Sequence, residues 1–176
     1  MSAVTDVRAS GEVLAQEFEE IFREHYQLVY RTAYSVTGSR QDAEDVLQTI
    51  FVRLLQRELP PDLVKNPKAY LYRAAVNVSL NVLRSRKRQR LTAEIVDPLE
   101  VPARDVDKPD NEIQRTLLDA LAELKPRTVE MLILRYEHDY SDAEIAKMLG
   151  KSRGTIAVTL YRARARLRKL LKRKQP

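Results

Sequence analysis

Apolar residues in this 176-residue chain recur three and four positions apart wherever a stretch between glycines and prolines is long enough to show a period. No stretch is rich in Val, Ile and Thr and alternates as a half-buried strand would. Phe18, Phe22, Val29, Ala33 and Val36 form the first stripe, and Gly38 breaks it. Ser39, with Asp42 three residues on, reads as a capping box for a helix carrying Ala43, Val46, Leu47, Ile50, Phe51 and Leu54, until Pro60 and Pro61 stop it. Asn66 and Pro67 are an N-cap and first-turn pair for a helix striped by Leu71, Ala74, Ala75, Val78 and Val82. The later stripes are Ile113, Leu117, Leu121 and Leu124; Val129, Leu132, Ile133 and Tyr136 after Pro126; a short helix capped by Ser141 and Glu144 and ended by Gly150; and Ile156, Leu160, Ala163, Leu167 and Leu170. The expected fold class is all-α, with the helices gathered into small bundles.

Residues 91–110 interrupt this pattern with Pro98, Pro102, Pro109 and dense acids. They divide the chain into two small helical domains, 12–90 and 111–172, joined by an acidic, Pro-containing flexible linker. Charge sharpens the division. The formal net charge is +6, but residues 84–90 alone hold Arg84, Arg86, Lys87, Arg88 and Arg90 with no acid. Residues 151–176 hold 10 basic groups and no acid, whereas 91–112 hold 2 basic and 7 acidic groups. Two concentrated cationic patches on slightly acidic bodies are the footprint of polyanion binding. The absence of cysteine excludes disulfides, Cys-ligated zinc and thiol catalysis, and two histidines are too few for a typical transition-metal site. No apolar run reaches the roughly eighteen residues of a membrane span, and no basic-then-apolar signal pattern opens the chain, so a cytoplasmic protein without membrane insertion is expected.

Three constellations could carry function. In 142–161, Ala146, Gly150 and Ile156 supply the small, turn and branched-apolar residues of a helix-turn-helix. The second helix of that unit presents Ser152, Arg153, Thr155, Ala157, Val158 and Thr159 to a major groove, with Arg162, Arg164 and Arg166 spaced to meet phosphates. A helical hairpin with a solvated basic end is the plainer alternative. In 67–90, Tyr70 and Tyr72 stand beside Arg73, Asn77, Ser79 and Asn81, followed by the basic run. Aromatics, amides and cations together suit single-stranded nucleic acid, although tyrosines at this spacing also serve as half-buried core. Last, Asp42, Glu44 and Asp45 with Gln48 could suggest Mg²⁺ or acid–base chemistry. Acids in a first helical turn are expected from the dipole alone, and no His, Lys or Ser partner stands at a convincing spacing.

These motifs, in this order, resemble those of bacterial extracytoplasmic-function (ECF) sigma factors. The stretch from Asp42 through Phe51 resembles their core-polymerase-binding motif, Tyr70 through Asn77 their promoter-melting helix, and Glu144 through Arg164 their helix-turn-helix. The resemblance implies a promoter-specificity subunit that is not an enzyme and has no cofactor. It would bind core RNA polymerase at the largest-subunit clamp and beta-subunit flap, bind promoter DNA both as duplex and melted, and be a monomer when free. Asp45 and Gln48 would contact the clamp with Phe51 packed beneath. Tyr72, Arg73, Asn77, Ser79, Asn81, Arg84, Arg86, Lys87 and Arg88 would serve the minus-ten element, and the second helix of the helix-turn-helix the minus-thirty-five element. An anti-sigma factor is a further implied partner. The chain departs from the family pattern at Tyr70, at Thr49 and at Ala157-Val158-Thr159, the last removing cations from the recognition helix.

Other classes remain. A free-standing dimeric helix-turn-helix regulator explains 111–176 but gives 40–90 no work. A sigma mimic that only sequesters an anti-sigma partner would not need the phosphate-binding charge. An enzyme lacks a metal or nucleophile constellation.

Overall fold

The computed structural model describes the backbone of residues 3–56, 59–96 and 112–172, and the side chains of 16–56, 59–92 and 112–172. Among the described residues there are eight helices and no strand: α1 (Ala3–Thr37), α2 (Arg40–Leu55), α3 (Pro61–Lys65), α4 (Pro67–Val96), α5 (Glu112–Ala122), α6 (Pro126–Tyr136), α7 (Asp142–Leu149) and α8 (Arg153–Lys172). The all-α expectation holds. None of these helices is long and apolar enough to cross a membrane.

Local chemistry sets most of the boundaries. Gly38 takes a left-handed conformation at φ 67°, and Ser39 Oγ then accepts the Asp42 N–H at 3.2 Å to start α2. The reciprocal half of the expected capping box is absent as such, because the Asp42 carboxylate turns toward α4 instead. Asn66 Oδ1 accepts the Ala69 N–H at 3.1 Å and opens α4. Ser141 and Glu144 form the full reciprocal box at α7, which ends on Gly150 at φ 62°, ψ 45°. A Cβ at Gly150 would meet nothing within 4 Å, so the backbone conformation and not the space calls for glycine there. One boundary differs from expectation: α4 runs six residues past 90, to Val96. The rest of the expected linker, 97–110, lies outside the described residues.

Two apolar cores result, and α4 belongs to both. The first joins Val29 and Ala33 of α1, Ala43, Val46, Ile50, Phe51 and Leu54 of α2, Leu63 of α3, and Leu71 and Ala75 of α4. The second gathers Leu121, Val129, Leu132, Ile133, Ile145, Leu149, Ile156 and Leu160 from α5–α8 around Tyr72, Val76, Leu80 and Leu83. Spacings of four, four and three put these last four residues on one side of α4. The helix is apolar on two faces and is buried accordingly, with its own bundle against one and the second bundle against the other. The two bodies therefore meet along a continuous apolar seam.

Candidate nucleic-acid and partner interfaces

The outer face of α2 is a stripe of Asp45, Gln48, Val52 and Leu55, at helical spacing and all exposed. Phe51 points the other way and is buried. It takes the Phe18 ring edge-on at 5.9 Å and the Phe22 ring at 4.7 Å, and Phe22 stacks on Tyr26 at 5.6 Å. The aromatic ladder of α1 thus stiffens α2 from behind while Phe22 and Tyr26 stay partly open to solvent. Asp45 and Gln48, expected from the sequence as a docking pair, share this exposed stripe with Phe51 packed beneath, and the stripe also includes Val52 and Leu55, which the sequence reading did not single out. Continuing the 45–48 spacing for two more turns would have found them. The acid cluster divides: Glu44 and Asp45 face solvent, and Asp42 is buried.

Arg86 Nη2 donates to Asp42 Oδ1 at 2.6 Å and Nη1 stands 2.5 Å from Oδ2 as an ion pair, which ties the start of α2 to α4. Arg86 is a brace in this structure, where the sequence suggested a DNA contact. Tyr72 and Ser79 also differ from expectation, since both side chains are fully buried. The Tyr72 hydroxyl donates to the Glu130 carbonyl at 2.5 Å across the seam. Burial first, and the neighbouring Glu130 second, push that hydroxyl well above the usual tyrosine range, so it stays protonated and donating. Arg84 and Lys87 reach partners in α5 and the turn after it. Arg73, Asn77, Asn81 and Arg88 are exposed and share one side of α4, at spacings of four, four and seven. That stripe is the part of the expected minus-ten set that α4 leaves exposed in this conformation.

In α8 the burial pattern separates anchoring residues from most of those read as facing a major groove. Ser152 Oγ accepts the Thr155 N–H at 3.1 Å and caps the helix, and its hydroxyl pairs with Thr155 Oγ1 at 2.8 Å. Ile156, Leu160 and Ala163 are buried and hold α8 against the second core. Ser152, Arg153, Thr155, Ala157 and Val158 of the predicted set are exposed, as are Arg162, Arg164 and Arg166, and Thr159 is half-buried. Three of the buried positions fix which side faces out. The exposed side carries Arg153 at its start and a run of cations from Arg162 onward, with no acid.

The seam also holds two titratable groups that the sequence did not single out. Glu130 is buried, and burial raises its carboxyl above the usual range against the pull of Arg73 and Arg127. His138 Nε2 lies 3.1 Å from Thr32 Oγ1. Burial, then Arg31, then Lys68 lower its pKa, opposed by Glu137 and Asp139. A folded pKa below the unfolded value of about 6.5 means that the unfolded chain binds the extra proton. Stability from the neutral ring is full above that value and is lost as pH falls through it. Thermal unfolding should show the wild-type advantage over His138→Gln shrinking from pH 7.5 to about pH 5.5; an advantage that grew with acidity would reverse the assignment.

With this geometry in place, the chain can be set beside known proteins. The sigma-70 region 2 family model matches residues 21–89, from the second half of α1 through most of α4, and the sigma-70 region 4 model matches 114–167. An RNA polymerase sigma-E factor of Streptomyces antibioticus is 36% identical over 165 residues, covering 93% of this chain and 88% of that one. The ECF RNA polymerase sigma factor SigE of Mycolicibacterium smegmatis is 32% identical over 168 residues, covering 93% of this chain and 65% of that one. Among solved structures, CnrH in complex with the cytosolic domain of CnrY shares the fold at a TM-score of 0.51 and 24% identity, over 92% of this chain and 91% of that one. The two matched regions fall on the two bodies, in that order. The chain belongs to the sigma-70 family, among its extracytoplasmic-function members, which are regulatory subunits of promoter-specific transcription initiation and not enzymes.

Proposed function

We propose that this sigma factor binds core RNA polymerase through α2, reads the minus-thirty-five element with α8, and captures and melts the minus-ten element with α4. The observation that carries the reading is the free face of α8. Arg153, Thr155, Ala157 and Val158 stand clear of the protein on a helix anchored by Ile156, Leu160 and Ala163, as major-groove entry requires. The apolar pair Ala157 and Val158 suits thymine methyl groups, and Arg153 a guanine edge. Arg162, Arg164 and Arg166 hold the flanking phosphates. On α2, Asp45 and Gln48 contact the clamp of the largest subunit, and Val52 and Leu55 extend that contact with apolar area. The second body meets the beta-subunit flap. On α4, Arg73, Asn77, Asn81 and Arg88 engage the single strand, with Arg84 and Lys87 on its backbone. Tyr72, Ser79 and Arg86 support that helix from within. An anti-sigma partner would compete for the exposed Phe22, Tyr26, Val52 and Leu55.

Run-off transcription with core polymerase on genomic fragments tests the reading. Asp45→Ala should lower the affinity for core about tenfold or more, with transcription recovering as sigma concentration is raised. Arg153→Ala should keep core binding and lose about tenfold in promoter affinity, the worth of one good base contact. A purified chain that does not bind core polymerase would end the proposal.

A further inference from the structure

The turn that follows α6 brings polar groups of the second body against both α1 and α4. Its own backbone holds it in shape. Glu137 and His138 donate to the Ile133 carbonyl at 2.9 and 3.2 Å, and Tyr140 donates to the Leu134 carbonyl at 3.0 Å. Asp139 takes φ 55°, a left-handed conformation uncommon outside glycine, and Arg135 Nη1 donates to the Tyr140 carbonyl at 3.1 Å. The turn thereby presents the His138 ring to the seam in a fixed place. Nε2 lies 3.1 Å from Oγ1 of Thr32, a fully buried residue of α1, and the ring stands edge-on to Tyr72 of α4. Beside it, Ser35 Oγ of α1 donates to Glu137 Oε2 at 3.1 Å, and Lys68 of α4 lies over the Tyr140 ring at 5.2 Å.

The charges around this ring are divided between the bodies. Glu137 and Asp139, which favour a protonated ring, belong to its own turn and move with it. Arg31 of α1 and Lys68 of α4, which disfavour one, belong to the other body. Docking therefore buries the ring and brings it up to two cations, whereas undocking returns it to water with both carboxylates still alongside. A neutral imidazole suits the docked place and an imidazolium does not.

We infer that the turn after α6 is a proton-sensitive latch, in which proton uptake by the His138 ring between Thr32 and the Tyr72 edge releases the second body from α1. The ring binds its proton more tightly when undocked, so acid favours undocking from the ordinary histidine value of about 6.5 downward. Glu130 has the opposite sign. Burial on α6 favours its protonated carboxyl in the docked state, against Arg73 and Arg127, so proton uptake there tightens the seam and opposes the ring. Among the described residues the only other histidine is His25, on α1.

The chain has no cysteine, so Arg53→Cys on α2 and Lys147→Cys on α7, both exposed positions, can carry a pH-insensitive donor–acceptor dye pair that reads the distance between the bodies. In the full chain the undocked fraction should rise about threefold or more between pH 7.5 and about pH 5.5, with far-UV circular dichroism unchanged. His138→Gln keeps a hydrogen-bonding side chain for Thr32 and should stay docked across that range. His138→Lys carries a fixed charge and should be as undocked at pH 7.5 as the wild type is in acid. Arg31→Gln/Lys68→Gln removes the opposing cations and should shrink the pH response, which a loss of packing alone would not do. Glu130→Gln should enlarge the response, and His25→Gln should leave it as in the wild type. A wild-type dye signal that does not move with pH, or a response undiminished in His138→Gln, would overturn the latch. Neither polymerase nor DNA enters these measurements, so their failure leaves the sigma reading standing.

Discussion

Tyr72→Ala should cost about 3–5 kcal/mol of unfolding free energy in urea denaturation, the range for emptying a large aromatic site in a packed core. The reading of Tyr72 as a DNA contact expects almost no change, since a tyrosine held out to DNA carries no folding energy, whereas the half-buried-core alternative expects part of this loss. The structure buries the whole ring between α4 and α6, edge-on to His138 at 6.0 Å, with its hydroxyl on the Glu130 carbonyl. Tyr72→Phe keeps the ring and loses one hydrogen bond, so about 1 kcal/mol is expected from it. The two variants together separate packing from polarity. Because Tyr72 sits on the seam, Tyr72→Ala should also uncouple the bodies, and a single urea transition should broaden or split into two. An alanine variant as stable as wild type would place the ring outside the protein.

Arg86→Ala should be the most damaging change in the basic run, at about 2–4 kcal/mol, while Arg88→Ala should stay within about 0.5 kcal/mol. Both residues were expected to hold DNA, and only the exposed Arg88 is free to do so in this conformation. Removing Arg86 takes its ion-pair partner from a buried carboxylate at the start of α2. The Asp42 side chain is 9% exposed and that of Arg86 33%, so the cost falls at the lower part of the range for breaking a buried pair. Pairing the change with Asp42→Ala removes the buried charge and should return about 1–2 kcal/mol, a coupling that a double-mutant cycle reads directly. Additive losses would mean that the two side chains act separately.

What could be read from the residues was local. The caps at Ser39, Asn66 and Ser141, the left-handed glycines at 38 and 150, and the anchor–exposure pattern of α8 depend on neighbours three or four positions away. Sequence spacing reports such neighbours faithfully. Asp42 shows where this stops. Its spacing from Ser39 fits a capping box, yet its carboxylate goes to Arg86, 44 residues on. The helix end at Val96 was missed for a related reason, because acids and a lost stripe looked like a linker where the backbone continues to hydrogen-bond. The burial of Tyr72 was half legible. Between 69 and 83, α4 is apolar at Ala69, Leu71, Tyr72, Ala74, Ala75, Val76, Val78, Leu80, Val82 and Leu83, too many for one stripe. A helix apolar on two sides is covered on two sides. Reading one stripe as core left the other to be taken as a binding face.

An all-α chain of two helical units, the caps that start and stop them, the exposed basic side of α8 and the exposed Asp45–Gln48 side of α2 could all be read from the residues alone. Each of these follows from helical period and short-range hydrogen bonding, which the order of residues contains. That the two units share the second core, that Arg84, Lys87 and Arg90 pair with groups at the end of α5, and that Arg86 braces α2 came from the folded arrangement. Those outcomes are pairings between cations and oxygens far apart in the chain. Any of a dozen acids could have satisfied the same arginines by charge alone, and it is the apolar stripe Tyr72, Val76, Leu80 and Leu83 that brings Asp119 and Glu123 within reach.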